Sequence, residues 1–562
     1  RAAFDICNDN FTELYDGTGG LLHKIEGTNF TGSLIVGHST TGTISTATYN
    51  TALGIGAMDA ITSGDYNVAV GYGTATALTS GSSNTLIGAN AGDALTTGGR
   101  NIAIGTNALG AEDGHGRNVA IGWQALEVQN AGADAYNVAV GYYAGGAITT
   151  GIRNVLIGGL AGDALTTGGN NIAIGYEALT TEDGHGLNIA IGTNALQNLN
   201  AGVDAGNVAI GISAGAQMTT GRYNNILGTY AGDALTTGWS NVAIGYLALS
   251  AEDTGSDAIA IGRGALAAQN YDGSSYNVAI GRDAGAAVTT GVNNIIIGGN
   301  AGDALTTGGY NVAIGANALT TEDAHGKNIA IGYNALQDQD AGADAYNVAI
   351  GYQAGKEITT SVNNVLIGGS AGDSLTTGER NTAIGHAALG TEDTGSRNTA
   401  FGWSALTTLD YNGNGYNTAM GYATGMYITT ATQNTLIGAQ AGGALTTGGQ
   451  NTALGYRALY TEDTGVGATA VGYKALHLQN ADGSYYNTAV GHNAAQALTT
   501  GGQNTVMGAE AGYSLTTGDN NIAIGYRALY TEDGNGNNVA IGREALEVQN
   551  AGADAHSVAI GY

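Results

Sequence analysis

The 562-residue sequence contains no proline and one cysteine, and it has 16 lysines and arginines against 45 aspartates and glutamates. Average usage would supply roughly 5% proline. Proline has no backbone N–H, so a chain whose amides nearly all enter strand ladders has no place for it. With Cys7 alone, an intrachain disulfide is excluded and cysteine usage says nothing about redox compartment. A formal net charge of −29 argues against nucleic acid as a partner, because phosphates would be confined beside like charge. The same acidity keeps a long surface soluble. No run approaches the ~18 consecutive apolar residues of a membrane-spanning helix, so membrane insertion is not expected. What is abundant is glycine, 97 residues of it, without the Gly-X-Y period and proline of collagen. That composition fits a repetitive all-β chain with many tight turns.

The repeat is explicit. In NIAIGYEALTTEDGHGLNIAIG the second Asn-Ile-Ala-Ile-Gly begins at Asn188, 17 residues after Asn171. Such a period is too short for helical repeats and suits one turn of a β-solenoid. Rungs start at Asn67, Asn84, Asn101, Asn118 and Asn137, in steps of 17, 17, 17 and 19 that close on 70 residues. Seven complete 70-residue units fill 67–556, and with SLIVG (33–37) and the rung at Asn50 the chain holds about 31 rungs. Ala258, Ala468 and Ser557 replace the leading Asn.

Within a rung the alternation of N-x-[AL]-[IVLMF]-G predicts a short strand. Its fourth position is always large and apolar (Val70, Ile87, Phe401, Met420), which predicts that this residue faces the core. The third is mostly Ala, with Leu, Ile or Val in the second rung of each unit. The x-x-A-L or x-x-A-G that follows reads as a second strand, and TTG or TEDG as a corner. Period-two patterning excludes helix here. Rungs stacked ~4.8 Å apart would extend about 150 Å, with ~19 Å per four-rung unit. So thin a rung leaves apolar strand surface wet, and packing against copies of itself around an axis would cover it.

Three regions follow. Residues 1–20 place Phe4, Cys7, Phe11 and Leu14 at a–d–a–d spacing, which reads as a short coiled coil or as an amphipathic helix capping the first rung. Residues 21–49 form a lead-in with the first rung, and 50–562 the solenoid. Because the chain starts at Arg1 and stops at Tyr562, just inside a new repeat, further parts of the molecule are expected beyond this stretch.

The NVAIG and NIAIG cores resemble the head repeats of trimeric autotransporter adhesins, although the 17/19 pattern is longer than theirs. Phrases such as NVLIGGLAGDALTTGG and NTAIGHAALGTEDTG, with the opening FDICNDNFTELYDG, look more like repeats of bacteriophage tail-fibre and adsorption-fibre proteins. The resemblance covers almost the whole chain. It implies a homotrimeric fibre on a virion, a shaft presenting an adsorption tip, with other fibre or virion proteins as partners. The alternatives are a bacterial trimeric adhesin that binds host matrix or glycans, and a self-assembling extracellular filament.

No catalytic constellation or cofactor motif is visible, so the chain does not read as an enzyme. The most regular chemical feature is an acidic corner, Glu112-Asp113, repeated at Glu182, Glu252, Glu322, Glu392, Glu462 and Glu532. His115, His185 and His325 follow in three units. Carboxylates beside glycine are Ca²⁺ chemistry, but two per corner are too few and no Ca²⁺-loop motif is present, so a solvated corner is expected and no metal is assigned. Placing the pair in one rung of four separates copies by ~19 Å, about twice the Debye length at 0.1 M salt. The longer rung carries the variable loop QNAGADAYN (129–137), with a tyrosine column at Tyr136, Tyr276, Tyr346, Tyr416 and Tyr486. With Trp123 and Trp403, these rings read as packing or as contacts to a host-surface glycan or receptor. The Asn column reads as a hydrogen-bonded ladder.

Overall fold

The computed structural model describes residues 23–27, 30–36, 45–554 and 556–562. The expected helix over 1–20 lies outside them. Among the described residues every regular element is a strand, and the fold is a parallel β-solenoid. The chain divides into two compact units, Arg1–Asn277 and Val278–Tyr562. In the first, β1 (His23–Gly27) pairs antiparallel with β2 (Phe30–Val36), which starts the parallel stack by pairing with β3 (Thr51–Leu53). Each later rung contributes one three-residue strand in register with its neighbour, as Ile172, Ala173 and Ile174 face Ile189, Ala190 and Ile191. The second unit repeats this, with Val348 opposite Val365 and Ala349 opposite Leu366.

The backbone accounts for the missing proline. Val138 N–H donates to Asn154 O at 2.8 Å on one side, and Gly141 N–H to Ile121 O at 2.8 Å on the other. Corners and arcs bond rung to rung as well, Thr149 N–H to Thr166 O at 2.9 Å and Leu109 N–H to Ala125 O at 2.9 Å. A proline in these places would remove a donor from a stacked ladder.

The core lies on the opposite face from the one expected. The third rung position points inward: Ala69, Leu86, Ala103 and Ala120 are fully buried. The fourth points outward, with Phe401 47% and Met420 42% exposed. Strand alternation permits only one of the two to face in, and the space inside a rung is filled mainly from the other wall. Leu109 and Leu126 enter from the arc where the strand offers Ala103 and Ala120. Where the strand supplies Leu86 or Leu156, the arc carries Gly92 or Gly162. A Cβ on Gly162 would come within 2.9 Å of Leu156 Cδ2 and 2.8 Å of Leu165 Cδ1.

The second predicted strand is an arc of turns instead. Asn107 and Leu109 have φ of 57° and 55°, and Gln124 and Leu126 of 55° and 51°, so left-handed residues alternate with ordinary ones. This conformation bends the chain back within a few residues while its amides still reach the neighbouring rungs. It costs non-glycine residues some backbone energy, which the buried leucines offset. At the bend after the strand only glycine serves. Gly158 has φ 137°, and a Cβ there would lie 2.3 Å from Gly175 O.

The Asn column is a ladder, built differently from side chain stacked on side chain alone. Each Oδ1 accepts the backbone N–H of the next Asn, as from Asn84 to Asn67 at 3.0 Å, while Asn67 Nδ2 donates to the corner carbonyl of Gly81 at 2.9 Å. Ala258 still donates its own N–H to Asn241 Oδ1 at 2.9 Å, so the strand below remains capped.

Candidate functional site

The acidic corners depart from expectation in one half. Asp113 is exposed, but Glu112 and its counterparts Glu182, Glu252, Glu322, Glu392, Glu462 and Glu532 are fully buried. The reason is local: three residues after each Glu the chain turns, and the carboxylate folds back to accept the turn's amide. His115 N–H donates to Glu112 Oε1 at 3.1 Å, and Gly255, Gly395 and Gly465 donate likewise at 2.7 Å. The neighbouring Asp offers its carbonyl to the rung before, accepting Thr96 N–H at 2.6 Å and Thr96 Oγ1 at 2.9 Å.

The second Glu oxygen meets a residue type that the sequence reading passed over. The first residue of the longer loop is a buried Gln in most units, among them Gln129, Gln269, Gln339 and Gln479. Gln269 Nε2 donates to Glu252 Oε2 at 3.1 Å, and Gln479 to Glu462 Oε2 at 3.0 Å. Gln269 Oε1 in turn accepts Asn277 Nδ2 at 2.9 Å, tying the corner to the Asn ladder. Gln129 and Gln339 instead donate to Asn118 Oδ1 and Asn328 Oδ1, at 3.4 and 3.3 Å. Glu112 Oε2 and Glu322 Oε2 are then buried without a hydrogen-bond partner. Where Leu199 and Leu409 replace the Gln, Glu182 and Glu392 receive a backbone amide on Oε2, from Ala201 and Tyr411, each at 3.4 Å. The Gln signal was in the sequence, recurring seven residues before the tyrosine-column position and eight before the Asn, but loop variability masked it.

Electrostatics follow from burial. Loss of water raises the carboxyl pKa of Glu112, Glu252, Glu322 and Glu462, and amide donors pull it partly back. At Glu392, which has no Gln amide, burial pushes it from 4.5 up to about 7 against the opposing amides of Gly395 and Tyr411.

Three corners add an imidazole. His115, His185 and His325 hold Nδ1 at 3.8, 3.5 and 3.6 Å from the Glu Oε1, too far for a hydrogen bond, and all three Nδ1 atoms are buried without a partner. In each, one ligand atom from Glu, Asp and His lies within 4.8 Å of the others. Glu392, Asp393 and Asp410 converge similarly but bring no imidazole; both Glu392 oxygens accept amide hydrogens, as both Glu182 oxygens do.

The tyrosine column lies on the surface, and each ring in a basic-corner unit is paired. The Arg117 guanidinium sits 5.2 Å over Tyr136 and bonds Asp134 at 2.7 Å; Lys327 repeats this with Tyr346 at 5.1 Å and Asp344 at 2.6 Å. Trp123 stacks on Tyr142 at 4.9 Å and Trp403 on Tyr422 at 5.0 Å, all four exposed. Beside these pairs runs the outward strand face, with Ile87, Ile102, Ile157 and Ile210 at 37–38% exposure. Two open clefts of about 240 and 310 Å³ lie on the surface, one around Tyr485 and Asp519, the other around Ser213 and Tyr230. Among the described residues no helix is long and apolar enough to cross a membrane. The solenoid is thus described by its own geometry: the chain matches no protein-family model and no curated protein.

Proposed function

We propose that this chain is a structural fibre shaft of a phage or virus particle, a homotrimeric spacer that holds an adsorption tip away from the particle. The observation that carries the reading is the outward strand face. Every rung presents a large, partly exposed apolar side chain at its fourth position, in a protein with only 11% charged residues. An aliphatic residue joins it at the second position except where Thr or Asn stands there, as in each rung from Thr382 to Thr505. Contiguous apolar surface of this extent marks an interface, and a solenoid covers it most economically with copies of itself around an axis. A role in reach rather than chemistry fits a structure in which each rung contacts its neighbours and stability accumulates additively. The reading places the chain outside the cell, on a virion, and gives it no catalytic activity.

Sedimentation equilibrium of the purified chain tests the assembly. A mass three times 55.9 kDa is expected; a monomer over the whole concentration range would overturn the proposal. The exposed Trp123–Tyr142 and Trp403–Tyr422 stacks favour a second reading, an adhesin whose repeats bind glycans directly. Specific glycan-array binding, lost in Trp123→Ala and Trp403→Ala, would establish that reading over a pure spacer.

A further inference from the structure

The His-bearing corners hold chemistry that a spacer does not use. We infer that the groups Glu112–Asp113–His115, Glu182–Asp183–His185 and Glu322–Asp323–His325 are binding sites for a divalent transition-metal ion of the zinc class.

Four observations converge. First, a ligand atom from each of the three residues lies within 4.8 Å of the other two. Second, all three Glu are fully buried; Glu112 and Glu322 keep Oε2 without a hydrogen bond, while the adjacent Gln129 and Gln339 amides turn away to Asn118 and Asn328, and Glu182 Oε2 has only the Ala201 amide at 3.4 Å. A buried carboxylate left short of donors is costly, and a cation held by its other oxygen, Oε1, offsets that cost by neutralising the charge. Third, the imidazole Nδ1 atoms are themselves buried and unpartnered, 3.5–3.8 Å from the Glu Oε1. That separation is long for a hydrogen bond, yet close to the ~3.4 Å edge of a tetrahedron with metal–ligand bonds of about 2.0–2.1 Å. Fourth, the protein supplies its own controls. The corners at Glu252 and Glu462 have Gly255 and Gly465 in place of His, and both Glu oxygens are satisfied by an amide and a Gln. At Glu532 the residue is Asn535, whose backbone and side-chain amides both donate to Oε1; its Glu532 Oε2 is buried and unpartnered as at Glu112, so this corner differs in offering no ligand nitrogen.

The donor set selects the ion. One imidazole nitrogen with two carboxylates suits zinc and its neighbours, whereas Ca²⁺ and Mg²⁺ prefer six or more oxygens. Three protein ligands leave a position for water, so the ion would sit as in an open site. It enters from the surface side, where the His rings are about one-third exposed and the Asp carboxylates are solvated.

Calorimetric titration of the full chain with Zn²⁺ in physiological salt is expected to give three equivalents per chain. His115→Asn, His185→Asn and His325→Asn should each remove one, and the triple variant all three. Asn occupies the equivalent corner at Asn535, so these variants keep a side chain the fold already accepts. A circular-dichroism spectrum identical to the parent's confirms that they fold. Excess Ca²⁺ should leave the stoichiometry unchanged, and Co²⁺ bound at the same sites should show the visible absorption of nitrogen-ligated, low-coordinate cobalt. Zinc stoichiometry unaffected by the triple substitution, or displacement of zinc by equimolar Ca²⁺, would overturn the inference in favour of diffuse binding to surface carboxylates. No measurable binding of Zn²⁺ would overturn it outright.

Discussion

At the scale of single residues, this solenoid relies on polar groups placed where a thin core has no room for bulk. Each buried Glu satisfies a turn amide that no strand can reach, at the cost of holding a carboxylate away from water. Glu392 shows the balance most clearly. Its pKa is raised from 4.5 to about 7 by burial, which outweighs the amides of Gly395 and Tyr411, and Leu409 stands where other units have the Gln that donates to Oε2. The folded state therefore keeps a proton that the unfolded chain releases between pH 4.5 and 7. For a carboxyl with a raised folded pKa, stability is greatest below the unfolded value, falls through that window and levels off above it. Leu409→Gln is expected to supply the missing amide donor, lower the Glu392 pKa and flatten this part of the pH dependence. The check is the difference in melting temperature between parent and variant at pH 5 and pH 8: a gain of a few degrees at pH 8, and none at pH 5. Equal shifts at both values would refute the assignment.

At the scale of the rung, much was legible in the sequence, and the failures have a common cause. The strand N-I-A-I-G, the bend at its Gly and the Asn ladder follow from alternation and turn chemistry. The choice of inner face does not, because a reader of hydrophobicity takes the larger residue for the core. Here the interior is so narrow that Ala is the rule, and a Leu such as Leu156 is admitted only opposite a glycine, Gly162. The always-large fourth position lies on the outer face instead. The arc was equally hidden, since its alternating left-handed positions, Asn107 and Leu109 in one rung, are filled by Gln124 and Leu126 or Glu177 and Leu179 in others, residue types that do not announce that conformation. The buried Glu was missed because charge is a poor guide to exposure when the backbone donates to it. Leu156→Ala should cost about 2–5 kcal/mol by cavity formation. Ile157→Ala, on the outward face, should cost under ~1 kcal/mol in dilute, unassembled chains. Hydrogen exchange of the amides in that rung and its two neighbours reads both; a larger effect from Ile157 would restore the expected orientation.

At the scale of the whole molecule, the 70-residue unit is the natural module, because it returns the long loop, the acidic corner and the Leu/Gly exchange to the same place in the stack. Deleting residues 137–206 joins Tyr136 at one unit's end to Asn207 at the start of the next and preserves the order of rungs. The variant is expected to fold, with a particle shorter by ~19 Å in electron micrographs. Deleting only 137–170 would misplace corner and loop, and should lower stability well beyond the loss of two rungs. Unchanged dimensions in the first variant would argue against one layer per rung. The partners in almost every polar contact between rungs lie 14 to 20 residues apart, whether Asn67 with Gly81 or Asn107 with Glu127. Contact distance along the chain therefore does not grow as units are added. A nascent strand can dock on its predecessor while the ribosome is still making the next, so lengthening the gene by duplication lengthens the product without slowing its maturation.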